Sequence, residues 1–519
     1  MQFGFSYIGL IWLAMLFIPN FIWTKNKPEG YDGYASKESR ILLAFERTGQ
    51  FIVTPTVLMF RDFNFKGFNF WLAVLGLSLL CMVLYDIAWT RYFRSSKTMK
   101  DFYRSFLGMP LCLATYPVIA FFLLGIYGGN ILMIIGAVIL GIGHIGIHAG
   151  HAREVFGPRK KRHIVIRIFK WIGAAVLTFI FGVISLCIAG RNINQIKRAI
   201  ICRNGVNEQT YIQLNDQEEY VVLYGTDNNN PVIISLHGGP GAPVTFSDVG
   251  WQDNLIDEYT VVAWDERGCG RTYYHNDDEE NTTLSFEQQI ADLDALVDYC
   301  RERFDQDRVI ILGHSYGSFL GSQYVIQHPE KVSAYIGVGQ CVNEVDWYSD
   351  KYAYEDAKRI AEERGDDTTE MDAAYDEFCS DQSLANLQAL RKNVDTYHPQ
   401  TDTTDGSTIP GLTSPIFGID DARWLFLEMS TMMGNPRFEE LQKPLDDRLL
   451  RFNLYDNENG FQVPVLFISG SCDWACPVGL VKEYADKYNY KYVEFEGCGH
   501  SPQGQHPEEF AETIKDFLN

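Results

Sequence analysis

The chain has 519 residues, 44 of them basic and 66 acidic, for a formal net charge of −22. With 46% hydrophobic and 21% charged residues, wholesale disorder and a collagen-like chain are excluded. The charge is unevenly spread: residues 1–199 carry 22 basic and 8 acidic side chains (net +14), and the other 320 carry 22 and 58 (net −36). The first part reads as a membrane region and the second as an acidic soluble domain, a balance that argues against a nucleic-acid partner.

In chain order, six stretches approach the roughly 20 apolar residues that cross a bilayer. They are Phe5–Trp23, Ile41–Phe60, Phe70–Thr90, Phe106–Tyr127, Ile131–Ala149 and Trp171–Gly190. The second is the weakest, because Glu46 and Arg47 lie inside it. Basic residues between the spans alternate in number only if all six exist. Lys25, Lys27, Lys37 and Arg40 precede the second span, and Arg91, Arg94, Lys97, Lys100 and Arg104 precede the fourth. Arg153, Arg159, Lys160, Lys161, Arg162 and Arg167 precede the sixth. The positive-inside rule then puts the N-terminus and the C-terminal domain on the outer face of a cell membrane. Arg191, Lys197, Arg198 and Arg203 after the sixth span oppose that orientation. So does a set of eight cysteines after residue 200 with no evident disulfide framework, although Cys472 and Cys476 are near enough in sequence to pair.

His144, His148 and His151 fall on one face of the fifth span, a pattern open to a metal or haem site. Residence in the headgroup region is the preferred reading. Asp86 and Arg91 read as an interfacial acid and a snorkelling anchor. The boundaries expected are a five-span region at 1–155, a sixth span and linker at 156–205, an α/β core at 206–343 and 461–519, and a helical cap at 344–460.

From Tyr211 short β-rich runs alternate with helices. Expected strands are Glu219–Tyr224, Pro231–Leu236, Tyr259–Trp264, Arg308–Leu312, Tyr335–Val338, Pro464–Ser469 and Lys491–Phe495. Ser285 and Gln288 are spaced as a capping box for an amphipathic helix, Ser285–Phe304. The strand-free, acidic run from Glu344 reads as a cap over the site.

Four motifs sit at strand ends, where open α/β sheets bind ligands. Gly313-His314-Ser315-Tyr316-Gly317 lies between a strand and an apolar helix, the context in which G-x-S-x-G exposes a nucleophilic serine. His237-Gly238-Gly239-Pro240-Gly241 follows the strand Pro231–Leu236. Backbone N–H groups of Gly238 or Gly239, with that of Tyr316, are the expected oxyanion donors. His237 is assigned to holding its loop by hydrogen bonding rather than to base catalysis, and His314, next to the nucleophile, points the wrong way for a base in such a turn. A serine hydroxyl needs a base, and that base needs an orienting carboxylate. Asp473 and His500 complete the order Ser-Asp-His.

At these residues the C-terminal part resembles the proline iminopeptidase family of α/β-hydrolases. The resemblance rests on His237–Gly241, Trp264-Asp265-Glu266-Arg267-Gly268-Cys269-Gly270-Arg271-Thr272, Gly313–Ser318, Gly470–Asp473 and Gly499-His500. It implies a mixed, mostly parallel sheet with a helical cap, and release of N-terminal residues, often proline, from short peptides. Tyr316 replaces the family's usual Trp, and Thr272 its usual Ser. The family reads the substrate amine with cap glutamates; Glu344 and Glu428 are the candidates here. Arg267 is assigned no chemical step, its stretch reading otherwise as a solvated turn with a salt bridge.

The expectation is therefore an α-helical multi-span membrane domain followed by a serine hydrolase, using no metal or cofactor, with the bilayer and a short peptide as partners. An esterase or lactonase with the same triad, an inert binding module, and a transporter or sensor with an accessory hydrolase are the alternatives.

Overall fold

The computed structural model describes residues 1–66, 71–157, 164–276, 281, 283–428 and 436–519, and the backbone alone at 164–179, 428, 436–437 and 439. The chain divides into two compact units, Met1–Ile193 and Asn194–Asn519.

The N-terminal unit is helical: α1 (Tyr7–Thr24), α2 (Arg40–Met59), α3 (Trp71–Phe93), α4 (Cys112–Gly128), α5 (Ile131–Phe156) and the start of α6 (Ile164–Ile201). Each expected span coincides with one of these helices. Phe70 and the basic residues Arg159–Arg162 lie outside the described residues. Side-chain caps set three of the starts, with Ser6, Ser39 and Asn130 accepting from the N–H groups of Gly9, Leu42 and Met133. The fourth helix starts later than expected. Gly108 (φ 79°) and Leu111 (φ 55°) hold left-handed backbone just before Cys112. Among the described residues, α1, α3 and α5 are long and apolar enough to cross a membrane. By contrast, α2 carries Glu46 and Arg47, and α4 is apolar but only 17 residues long.

Glycine lets α2 and α5 touch. A Cβ on Gly143 would lie 2.2 Å from the Glu46 nitrogen, and one on Gly49 would lie 2.4 Å from the Leu140 nitrogen. Main chains can approach this closely only where side chains are missing. Arg91 donates to the carbonyls of Arg104 and Ser105 at 2.8 and 2.9 Å, pinning the segment before α4 rather than only snorkelling.

The C-terminal unit is built on eight strands: β1 (Val206–Leu214), β2 (Gln217–Gly225), β3 (Val232–Leu236), β4 (Thr260–Asp265), β5 (Val309–His314), β6 (Val332–Val338), β7 (Val465–Gly470) and β8 (Lys491–Phe495). The order across the sheet is β1-β2-β4-β3-β5-β6-β7-β8. β1 and β2 run antiparallel to their neighbours, and all other pairs are parallel. The sheet is buried on both faces. Val221, Leu223, Ile234 and Ile311 point into one apolar layer, and Val222, Tyr224, Ile233 and Ile310 into the other. The first strand is absent from the sequence expectation because its residues, Val206-Asn-Glu-Gln-Thr-Tyr-Ile-Gln-Leu214, are mostly polar, as suits an edge.

Helix α7 (Phe286–Arg303) begins at Ser285, whose Oγ accepts from the Gln288 N–H at 3.1 Å. The expected reciprocal half of the box is replaced, since Gln288 Nε2 donates to Asp292 Oδ1 at 2.9 Å. Between β6 and β7 the chain is helical, with Tyr348–Arg364, Thr369–Ser380, Leu384–Asp395 and Pro436–Leu449 as its longer helices.

Candidate active site

The turn from β5 into helix α8 (Tyr316–Gln327) places Ser315 at φ 55°, ψ −124°. A non-glycine residue in that region is strained, and such strain collects at functional turns. The turn is feasible because its flanks lack side chains: a Cβ on Gly313 would lie 2.2 Å from the Gly317 carbonyl oxygen, and one on Gly317 would lie 2.4 Å from that of Leu236. Behind Ser315, the Ser318 hydroxyl donates to its carbonyl at 2.6 Å and accepts from the Cys341 N–H at 2.9 Å.

The loop after β3 lies against this turn. A Cβ on Gly238 would sit 3.0 Å from the Ser315 Cβ, a contact tighter than most, which the absence of a side chain relieves. His237 is buried; its Nδ1 meets the Gly238 carbonyl at 2.8 Å and its Nε2 lies 3.5 Å from Cys269 Sγ. Burial pushes its pKa down to about 4, which keeps the ring neutral.

Asp473 and His500 come from the loops after β7 and β8. The Asp473 Oδ2 lies 2.8 Å from His500 Nδ1. Its Oδ1 accepts from the N–H groups of Ala475 and Cys476, both at 3.0 Å, so the carboxylate is fixed before it orients the ring. Burial alone would lower the His500 pKa, but the Asp473 charge and hydrogen bond outweigh it and the net shift is upward. His314 serves as a support, its Nε2 meeting the His500 carbonyl at 2.8 Å; burial pushes its pKa down to about 4. Among the described residues, no hydrogen bond joins Ser315 to His500.

A cleft of about 520 Å³ borders His500 and Ser501 on one side and Gln400, Asp402 and Thr404 on the other. The segment between β6 and β7 also holds the glycine loops, with Trp424 Nε1 donating to the Gly241 carbonyl at 3.0 Å and Gln442 Nε2 to that of Gly268 at 3.3 Å. Glu344, at the start of that segment, is buried and accepts from the Ser349 hydroxyl at 2.8 Å. Desolvation pushes its pKa up to about 8. The Glu428 side chain lies outside the described residues.

Several supports were not read from the sequence. The Tyr316 hydroxyl donates to Gln289 Oε1 at 2.6 Å, and Gln289 Nε2 donates to Glu266 Oε2 at 2.7 Å. This buried chain locks the residue after the nucleophile. Arg267 is not on a solvated turn. Its side chain is 1% exposed and bonds Asp292 at 2.8 Å, Asp216 at 2.8 Å and Thr283 at 2.8 Å, a structural brace away from the chemistry. All eleven cysteines are free, and the neighbour of Cys476 is Cys341, Sγ to Sγ 3.8 Å, rather than Cys472.

A family profile described as alpha/beta hydrolase fold matches residues 231–507. The Bacillus subtilis protein named "Probable aminopeptidase YbaC" is 26% identical over 320 residues, 58% of this chain and 93% of its own length. A proline iminopeptidase of Lactobacillus delbrueckii subsp. bulgaricus is 22% identical over 314 residues, 60% of this chain and 97% of its own. Among solved structures, the proline iminopeptidase of Mycobacterium smegmatis aligns at 17% identity with a TM-score of 0.41, over 60% of this chain and 97% of its own.

Proposed function

From the premise that the chain belongs to the alpha/beta hydrolase fold family, we propose that its C-terminal unit is a serine aminopeptidase anchored to a membrane by its N-terminal helices. It releases N-terminal proline or other residues from short peptides. The observation that carries this reading is the Asp473–His500 pair, 2.8 Å apart, at the same strand ends as the Ser315 turn and the glycine loop.

In this mechanism Ser315 Oγ attacks the carbonyl of the substrate's first residue. His500 Nε2, the nitrogen turned from Asp473, takes the hydroxyl proton and passes it to the leaving amine. Asp473 holds the ring and stabilises the imidazolium. The Tyr316 N–H, in the first turn of α8 where no helical acceptor exists, and the N–H of Gly238 or Gly239 receive the oxyanion. Water then releases the acyl group by the same steps in reverse roles. The free amine of the substrate is cationic near neutral pH, and the acidic balance of the C-terminal half favours its approach. Glu344 is the carboxyl assigned to read it, with Glu428 as the second candidate.

The test is turnover of aminoacyl amides and simple esters by the full chain, with Ser315→Ala and His500→Ala as controls. Hydrolysis of prolyl amides, lost in both variants, supports the aminopeptidase. Ester turnover alone keeps the triad and discards the peptidase. The positive-inside count supports a hydrolase unit outside the cell, against the basic residues that follow the sixth span, and protease protection of intact cells checks this: a C-terminal unit resistant until lysis overturns that side.

A further inference from the structure

The N-terminal unit contains a cavity of about 570 Å³, a volume typical of sites for small organic ligands. Its wall carries two kinds of lining, which meet where the Tyr31 ring lies 6.0 Å from that of His151 and the Phe102 ring 6.0 Å from that of His148. One is a belt of aromatic rings, all on the lining: Trp23 to Tyr31 at 5.0 Å between centroids, Tyr31 to Phe102 at 6.0 Å, Phe102 to Trp89 at 5.9 Å and Trp89 to Tyr85 at 6.1 Å. The other is ionisable. Glu46 and His144 line the cavity with Oε1 and Nδ1 2.5 Å apart, and Glu38 lines it with Oε1 3.5 Å from His151 Nε2. His148 and His151 share the Tyr103 hydroxyl, at 3.0 and 2.9 Å. The three histidines are thus linked along α5, His148 and His151 through the Tyr103 hydroxyl and His144 to His148 by rings 4.6 Å apart.

Fixed charge at this lining is two carboxylates against one guanidinium, that of Arg47, which is exposed and reaches Gln50 Oε1 at 3.4 Å. The other partners of the two carboxylates are imidazoles, which carry no obligatory charge. The carboxylate side chains are only 17% (Glu38) and 14% (Glu46) exposed. A half-buried acid is stabilised by a cation, and aromatic faces also attract one. Trp23 already has Lys27 Nζ 5.6 Å from its ring centroid, the contact a ligand cation would make with its neighbours. Most of the remaining lining is apolar, including Val53, Pro117, Phe121 and Leu140, with Asn20, Gln50 and Thr54 as its uncharged polar members.

We propose that this cavity is a binding site for an amphipathic organic cation, whose positive centre lies between the Glu38/Glu46 end and the aromatic belt and whose apolar body fills the rest. The site is separate from the hydrolase chemistry and does not depend on the aminopeptidase reading.

Two ions of nearly equal shape and opposite charge, tetraphenylphosphonium and tetraphenylborate, test it. Binding to the full-length chain in detergent is measured by equilibrium dialysis, corrected with empty micelles. The cation binds saturably, one per chain, at least tenfold more tightly than the anion. Glu46→Gln and Glu38→Gln each weaken the cation at least tenfold, and Phe102→Leu weakens it about threefold, while hydrolase turnover is unchanged. Glu38 precedes α2, so its variant carries the test if Glu46→Gln fails to fold. Equal affinity for the two ions, cation binding unaltered in the glutamine variants, or no saturable cation binding would overturn the proposal.

Discussion

The two units use the same residue types for opposite ends. In the C-terminal unit, glycine serves turns: Gly313 and Gly317 let the chain fold back so tightly that Ser315 stands clear, and Gly238 lets a backbone pass beside it. In the N-terminal unit, glycine serves surfaces: Gly49 and Gly143 strip side chains from helix faces so that α2 and α5 meet at the main chain. Polar groups divide likewise. Asp473 and His500 sit in loops just past two strands, where side chains from neighbouring strands converge at one edge of the sheet. Glu46 and His144 sit midway along helices, where a polar side chain must find its partner on another helix. One architecture presents chemistry at an edge, and the other encloses it.

The largest expected effect tests the edge. Ser315→Ala should lower kcat/KM on the order of 10⁴-fold or more, with no change in thermal midpoint. A residual rate within tenfold of the parent would place the nucleophile elsewhere. Asp473→Asn should cost slightly less, roughly 10³–10⁴-fold, and should also move the pH profile. The His500 pKa is raised by Asp473, and the ring acts as a base only when neutral. The parent's kcat/KM therefore rises with pH through an apparent pKa above the ordinary 6.5 or so of histidine. Without the carboxylate, burial alone remains, and the acid limb should shift to lower pH. A limb that stays in place would detach Asp473 from His500.

Gly143→Leu tests the enclosed unit. A side chain there meets the Glu46 main chain at 2.2 Å, so α2 and α5 must separate. Overpacking of this kind costs about 1–3 kcal/mol or more. The expected outcome is a lower unfolding midpoint for the N-terminal helices with hydrolase turnover retained, read by calorimetry and activity on the same sample. Loss of turnover at full stability would show that the comparison between the units is drawn too sharply. Tyr316→Phe should act at the level of one buried hydrogen bond, about 1–2 kcal/mol of stability. It leaves Gln289 Oε1 without its donor, and kcat should fall by no more than tenfold.

The difference between the units also governs what could be read in the sequence. Ser315, Asp473 and His500 stand out because a strand end marks each one and the glycines around them are local. Seven strands were legible from apolar runs, whereas β1 was hidden by its polar edge composition. Tyr316–Gln289–Glu266 and Ser318–Cys341 were not legible, since neither pair has a local spacing and both exist only once α7, α8 and the β6 end are packed. The long helices of the N-terminal unit were readable from hydropathy together with the alternation of basic residues between them. Its cavity was not: the five aromatic rings of its belt come from two long helices and two connecting segments, and periodicity within one helix says nothing of its neighbours.

The smallest expected effect concerns Glu344. Burial pushes its pKa up to about 8, so the neutral form prevails at pH 7 before substrate binds. A substrate ammonium ion favours the ionised form and must draw off that proton, which weakens binding at neutral pH. KM for a free-amine substrate should therefore fall about three- to tenfold as pH rises from 7 to 8.5, provided the amine itself stays protonated. In Glu344→Gln the same interval should be flat, and an N-acetylated ester should show no such dependence in either protein. Ser349, which donates to this carboxyl at 2.8 Å, offers a finer variant. Removing its hydroxyl in Ser349→Ala takes away a bond that favours the charged form, so the fall in KM should shift to higher pH. A KM that is flat in the parent would remove Glu344 from amine recognition and leave Glu428, on the other side of the cap sequence, as the carboxyl to examine.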